Sequence, residues 1–241
     1  MSFIKLRIVD NGDSGLTVFY DEPISEQLTR KIVGIEKHIR KFMGEHLLDV
    51  IPSYQSITII FSLLKLSKIE ASKKLQQVLR KPIEQTDSLP TQHYKLLEIP
   101  VCYCSTCGPD LFYLSKHCQL SEEQVVELHT RKEYLVHMLG FLPGFLYLGD
   151  LNPALFCPRK SEPRIRQPKG SVGIGGSQTG IYPIDSPGGW QIIGRTPTSL
   201  FNPNKEQPTL ASPLDRIKFV AITHSKFLEL EFDKKQAAKN S

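Results

Sequence analysis

The chain has 241 residues, with 40% hydrophobic and 23% charged residues, which is too apolar for a disordered protein and ordinary for a globular one. Its formal net charge of +5 is mild and argues against a dedicated nucleic-acid binder, whose positive charge is usually concentrated on one element. The basic stretches are residues 159–169 and the terminal Lys234, Lys235 and Lys239; a solvated chain end accounts for the latter.

The first residues have no basic region leading into an apolar run, and no apolar stretch reaches the ~20 residues a membrane helix needs. The sequence therefore predicts a cytoplasmic protein. Its five cysteines are Cys102, Cys104, Cys107, Cys118 and Cys157. An odd count in such a chain speaks against a disulfide framework. Three cysteines crowd one segment with no second ligand pair elsewhere, so the expectation is free thiols and no metal.

In chain order, residues 3–9 alternate like a strand, residues 11–15 are turn chemistry, and residues 16–20 read as a second strand. Ser25 opens a helix to about Met43, with Ile24, Leu28, Ile32, Ile35 and Ile39 at helical spacing, and Gly44 ends it. Residues 47–52 and 56–62 read as strands. Residues 67–79 form a second helix, with Ile69, Leu75, Val78 and Leu79 inward. This is a small α+β sandwich, with helices on one face of an antiparallel sheet. It occupies residues 1–83, and the polar, proline-containing stretch 84–93 is the linker.

The second domain is expected over residues 94–233, followed by a flexible tail at 234–241. Residues 94–103 read as a strand, and Gly108-Pro109-Asp110 starts a short helix. Ser121 and Gln124 form a capping-box pattern for a helix that ends near His129. From Tyr134 onward the texture is Gly- and Pro-rich with short β-like runs at 145–148, 171–174, 180–182 and 190–193. Residues 216–223 and 227–232 are the expected closing strands. This pattern predicts a β-barrel or sandwich.

Several chemical signatures fail. Gly175-x₄-Gly180 has the glycine spacing of a phosphate loop, yet Ile181 and Tyr182 stand where Lys and Ser/Thr are needed. No G-x-S-x-G elbow or zinc-hydrolase set is present. What remains is a set of polar groups among rigid turns: Arg159, Arg164, Arg166 and Lys169 before the glycine-rich loop, Gln178, Thr179 and Tyr182 after it, then Gly188, Gly189, Trp190 and Arg195. Glycines such as Gly175 and Gly176 let backbone amides approach a ligand, and arginines grip carboxylate or phosphate. The set suits a small anionic ligand. Arg159, Gln178, Tyr182 and Arg195 are expected to face one cavity, with His129 as an acid/base group or a loop-orienting residue.

These residues also carry a family resemblance. Glu127-Leu128-His129, Tyr134, the run from Leu139 to Gly149, Pro158-Arg159, Glu162-Pro163-Arg164, Gly170 to Gly176, Gln178 to Pro183 and Pro187 to Arg195 resemble the 5-oxoprolinase B-type family, also called the allophanate hydrolase subunit 1 or Kip-type kinase-inhibitor family. The likeness extends upstream through Gly108-Pro109-Asp110-Leu111, Ile99-Pro100-Val101, Ile57-Thr58-Ile59 and Val50-Ile51-Pro52. It implies a small N-terminal domain followed by a cyclophilin-like β-barrel, a C subunit and a separate A subunit as partners, and ATP with Mg as co-substrate of the complex. The implied reaction opens 5-oxoproline to glutamate by phosphorylating the resonance-protected lactam oxygen, with arginines and loop amides holding the phosphate. In some members the implied role is instead inhibition of a sporulation histidine kinase, and related domains occur in urea amidolyase systems. The chain departs from the family pattern at Cys102–Cys107, where a glycine-rich turn is usual. It departs again at Ser212-Pro213-Leu214-Asp215, where Pro-Gly-Asp is usual.

Overall fold

The computed structural model describes residues 6–80 and 94–239, with side chains through residue 236. The expected linker 84–93 and the first residues of the expected 3–9 strand lie outside the described residues. The chain forms two compact units that divide between residues 93 and 94.

In the N-terminal unit, β1 (Leu6–Asp10), β2 (Gly15–Tyr20), β3 (Leu47–Pro52) and β4 (Ser56–Phe61) form an antiparallel sheet in the order β1-β2-β4-β3. Alternation decides which face is inside: Leu16, Val18 and Tyr20 of β2 and Ile57, Ile59 and Phe61 of β4 are buried. Helices α1 (Glu26–Met43) and α2 (Lys68–Arg80) supply the rest of this core through Leu28, Ile32, Ile35, Ile39, Ala71, Leu75 and Val78. Ser25 caps α1 by accepting from the Leu28 N–H, and Gly44 closes it at φ +48°. Ile69, expected to point inward, is 69% exposed because Ala71 occupies the core-facing position of that turn.

In the C-terminal unit seven strands close a barrel: β5 (Leu96–Cys102), β6 (Glu133–Leu139), β7 (Leu146–Leu148), β9 (Ser171–Gly175), β10 (Gln178–Ile181), β12 (Gln191–Arg195) and β13 (Arg216–Ile222). The order is β10-β7-β6-β13-β5-β12-β9, with β9 pairing β10 to close the ring. Closure leaves no free edge among these strands. The β13–β5 pair is parallel and the other pairs are antiparallel. A separate ribbon pairs β8 (Arg164–Gln167) with β11 (Ser186–Gly188). Ile99, Val101, Tyr134, Val136, Leu148, Val172, Ile174, Ile193, Ile217 and Phe219 fill the barrel. Helices α3 (Leu111–Cys118) and α4 (Glu122–Thr130) pack beside it, and the capping box at Ser121 and Gln124 forms as expected.

One element is corrected. Residues 227–232 are not a closing strand but lie within α5 (His224–Lys239), which also takes in the start of the expected tail at 234. The Leu228, Leu230, Phe232 alternation imitates a strand. Yet the least exposed positions, Phe227, Leu230, Glu231 and Lys234, follow the helical period. Thr223 starts the helix, its hydroxyl accepting from the Lys226 N–H and its carbonyl from the Phe227 N–H. Lys234 then ties the helix to the Pro197 carbonyl. At Leu214 the backbone holds φ +78°, a left-handed conformation that glycine adopts freely.

Candidate functional site

The glycine-rich run folds as a hairpin. Gly175 and Gln178 pair at the ends of β9 and β10, and Gly176 sits at φ +65°, the first position of a two-residue turn. A Cβ on Gly175 would come within 2.6 Å of the Trp190 indole, and one on Gly180 within 3.0 Å of the same ring. These glycines make room for Trp190 to lie across the hairpin. Gly176, expected with Gly175 to offer its amide to a ligand, donates that N–H to Cys157 O at 2.7 Å.

Trp190 is the floor of an aromatic cavity of about 270 Å³. Its walls are Phe141, Phe145, Tyr147 and Tyr182, with Gly188, Gly189, Pro163 and Pro187 at one side. The rings meet edge to face: Phe145 with Tyr182 at 5.1 Å between centroids, and Phe145 with Trp190 at 5.5 Å. Trp190 also donates its backbone N–H to the Tyr182 hydroxyl. Gly188 must lack a side chain, since a Cβ there would lie 2.4 Å from that hydroxyl. Phe141 is 62% exposed and takes φ +64°, a backbone strain that holds its ring against Phe145 and Tyr182. The cation of the cavity is Arg159, whose guanidinium carbon stands 5.7 Å from the Trp190 ring centroid. Among the described residues it has no carboxylate partner.

The strap that carries Arg159 is anchored by a residue whose sequence context does not mark it as functional. Asp110 is buried at the start of α3 but does not cap that helix through its side chain. Its carboxylate accepts from Arg164 Nη1 at 2.5 Å and Nη2 at 2.7 Å, from Lys160 Nζ at 3.1 Å and from the Ile192 N–H at 2.8 Å. Burial alone would raise the Asp110 carboxyl; the bonds from Arg164, Ile192 and Lys160 outweigh it and hold the group below the ordinary carboxylate range. Lys160 N–H donates to Gly189 O, and Gln191 Nε2 to Pro158 O, which stitches the strap to the Trp190 segment. Arg164, expected to bind ligand, is therefore engaged by Asp110. Its sequence signals are its place after Gly108-Pro109, which reads equally well as a helix start, and its membership in the Gly108–Leu111 string of the family resemblance.

The remaining expected residues lie elsewhere. His129 is wholly buried in the barrel, stacked 4.5 Å from Phe219. Thr179, equally buried, gives its hydroxyl proton to Gly173 O, so it accepts from His129 Nε2–H at 2.9 Å. Nδ1 then accepts from the Tyr103 hydroxyl at 2.8 Å. Burial pushes the imidazole down to about 3, so it is neutral. His129 and Thr179, expected in the site, form a satisfied polar pair in the barrel core and do not line the aromatic cavity. Gln178 is half-buried beside the hairpin turn and does not line the aromatic cavity. Arg195 lines a second cavity of about 460 Å³ with Arg166, Lys169, Lys234, Asp185 and Glu231. The single cavity expected for Arg159, Gln178, Tyr182 and Arg195 is thus divided: β12 carries Arg195 away from Trp190, against Lys169 O and the ring of Phe227.

A family described as carboxyltransferase domain, subdomain C and D, matches residues 6–211, which reaches into both units and takes in every residue of the aromatic cavity. The chain belongs to this carboxyltransferase family. It is 38% identical over 230 residues to the B subunit of 5-oxoprolinase from Bacillus subtilis, covering 93% of this chain and 96% of that protein. Among solved structures, TTHA0988 is 34% identical with a TM-score of 0.72, covering 86% of this chain. The chain spans 39% of the length of that structure. The urea carboxylase of Kluyveromyces lactis has a TM-score of 0.78 at 18% identity, covering 95% of this chain and 23% of that one, and shares the fold. Among the described residues, no helix of this carboxyltransferase-family chain is long and apolar enough to cross a membrane.

Proposed function

We propose that this chain is the B-type subunit of an ATP-dependent 5-oxoprolinase, and that the aromatic cavity takes the 5-oxoproline ring with its carboxylate on Arg159. The observation that carries this reading is a cation without a carboxylate partner among the described residues, set over an aromatic floor in a cavity of about 270 Å³. A small lactam ring offers flat faces to such walls and one anion to such a cation. The name of the Bacillus subtilis relative, matched over nearly its whole length, supports the same substrate.

The overall reaction consumes 5-oxoproline, ATP and two waters and yields glutamate, ADP and phosphate. Phosphorylating the lactam oxygen turns a resonance-stabilised carbonyl into an electrophile with a leaving group. This chain's part is to hold and orient the ring in a site from which aromatic walls exclude water. Trp190 packs against Gly175 and Gly180 of the hairpin, and the Gly176 N–H is taken by Cys157 O, so we place ATP and its Mg on a partner subunit. The partners in this reading are the C and A subunits, and its setting is the cytoplasm. The test is glutamate formation from 5-oxoproline and ATP by the reconstituted subunits, compared with a mixture carrying Arg159→Ala. Unchanged turnover in that variant would remove the cavity from the reaction.

A further inference from the structure

The turn between β5 and α3 gathers three sulfur atoms. Cys102 ends β5, and Cys104 and Cys107 follow in a turn closed by Cys107 N–H and Gly108 N–H, which donate to Cys104 O at 2.9 and 2.7 Å. That turn curls the chain so that the Sγ atoms of Cys102, Cys104 and Cys107 all lie within 4.8 Å of one another. Cys102 and Cys104 are 3.4 Å apart. Gly108 fixes the turn against β12, since a Cβ there would fall 2.1 Å from Ile193 O. Two of the thiols are buried and Cys104 is half-buried, with Phe227 and Ile222 packed around them.

Metal–thiolate bonds near 2.3 Å place the sulfurs of a three-thiolate site about 4 Å apart, a value that falls between the 3.4 Å of the Cys102–Cys104 pair and the 4.8 Å that bounds the set. Thiolates select soft ions. We propose that Cys102, Cys104 and Cys107 form a tri-thiolate site for a thiophilic d¹⁰ metal ion, Zn(II) or Cu(I), with the remaining coordination position open to solvent beside Cys104. Binding releases the three thiol protons to water as the three sulfur–metal bonds form. Among the described residues no carboxylate or imidazole completes the cluster, so any further ligand to Zn(II) is a water. Spacing argued against metal because a second ligand pair is absent; the turn makes that pair unnecessary by folding three ligands onto one point.

The experiment titrates the reduced, metal-free full chain with Zn(II) and, separately, with Cu(I) against a competing chelator, and counts bound metal. One ion per chain is expected with at least one of the two metals. Cys104→Ser, at a half-buried position, is expected to keep the far-ultraviolet spectrum and lose more than about tenfold in affinity, the scale at which even outer-shell changes act. Cys118→Ser and Cys157→Ser are expected to bind like the parent. Co(II) should give a thiolate charge-transfer band in the parent that is weakened in Cys104→Ser. Substoichiometric uptake of both metals overturns the proposal, as does unchanged affinity in Cys104→Ser. Formation of a disulfide among the three cysteines under the binding conditions, with no metal retained, overturns it as well.

Discussion

Residue type alone marks both Arg159 and His129 as candidate site residues, and their surroundings separate them. Arg159 is exposed and held by ring contact rather than by an ion pair. Its loss should cost little in folding, within about 0.5 kcal/mol as for other surface positions. Arg159→Ala is therefore expected to keep its melting temperature while 5-oxoproline binding weakens by about tenfold or more, the loss of one charge-assisted contact. Isothermal titration and thermal unfolding of the same sample check this. A large stability loss with unchanged affinity would make the side chain structural. His129 behaves in the opposite way. Its folded imidazole titrates at about 3, against about 6.5 when unfolded. Below pH 6.5 the unfolded chain takes up a proton that the folded chain does not. Stability is therefore complete above that pH and falls as pH drops towards 3, by up to about 1.4 kcal/mol per unit from this group. His129→Leu should be less stable at pH 8 by about 1–3 kcal/mol, because the Tyr103 and Thr179 hydroxyls lose a partner. Its stability should then decline less steeply between about pH 6 and pH 4.5, where the unfolded imidazole is largely charged and the folded one is still neutral. Parallel pH profiles for the two proteins would contradict the neutral, buried imidazole.

The element that aims Arg159 is the strap over residues 158–164, and Asp110 is its anchor. Asp110→Ala should destabilise the chain by about 2 kcal/mol, less than the roughly 3–5 kcal/mol of a fully buried pair because Arg164 and Lys160 still reach solvent. It should also weaken 5-oxoproline binding, although Asp110 does not line the cavity. Urea unfolding and titration with the ligand measure the two effects, and a stability loss with unchanged affinity would show that the strap does not aim Arg159. Elements of this kind are the least legible in the sequence. Where one face is buried, as in β2, β4 and α1, alternation or helical period announces the element. In β6 the residues Tyr134, Leu135, Val136 and His137 are buried on both faces, so no period is left to read. The short strands β8 and β11 are set by the Asp110 clamp and by Gln167 Nε2 donating to Gly188 O, contacts that join residues far apart in the chain. α5 imitates a strand because alternating leucine and glutamate satisfies a strand pattern locally. Its Thr223 cap and the contact of Phe227 with the cysteine turn decide otherwise. The aromatic members of the candidate site are visible by residue type. Their separation from Arg195 is not, because it depends on how β12 runs past the hairpin that Trp190 covers.

At the scale of the whole molecule, the proposed reading gives the cavity the binding of the lactam and leaves the phosphoryl transfer to other subunits. In that reading Arg159 answers the carboxylate, while in the glycine hairpin Trp190 packs against Gly175 and Gly180 and the Gly176 N–H is taken by Cys157 O. A lactam cannot be opened at a useful rate by orientation alone; the phosphoryl donor and the groups that stabilise its transferred charge must arrive from elsewhere. Phe141 stands 62% exposed at the cavity, and Ile165 is 90% exposed on β8, the strand that follows Pro163 of the cavity wall. Apolar groups of this kind are the material of interface centres. The isolated chain is therefore expected to form neither glutamate nor ADP from 5-oxoproline and ATP. Addition of the C subunit alone is expected to leave it inactive, and addition of both C and A subunits to give turnover. Ile165→Ser, absent from the cavity lining, should raise the concentration of C subunit needed for half-maximal rate without altering the rate at saturation. The assay follows glutamate and ADP together, since ATP cleavage without glutamate would report an unrelated ATPase. Robust turnover by the isolated chain would refute the divided site, and turnover in the full mixture that ignores Ile165→Ser would move the partner surface away from β8.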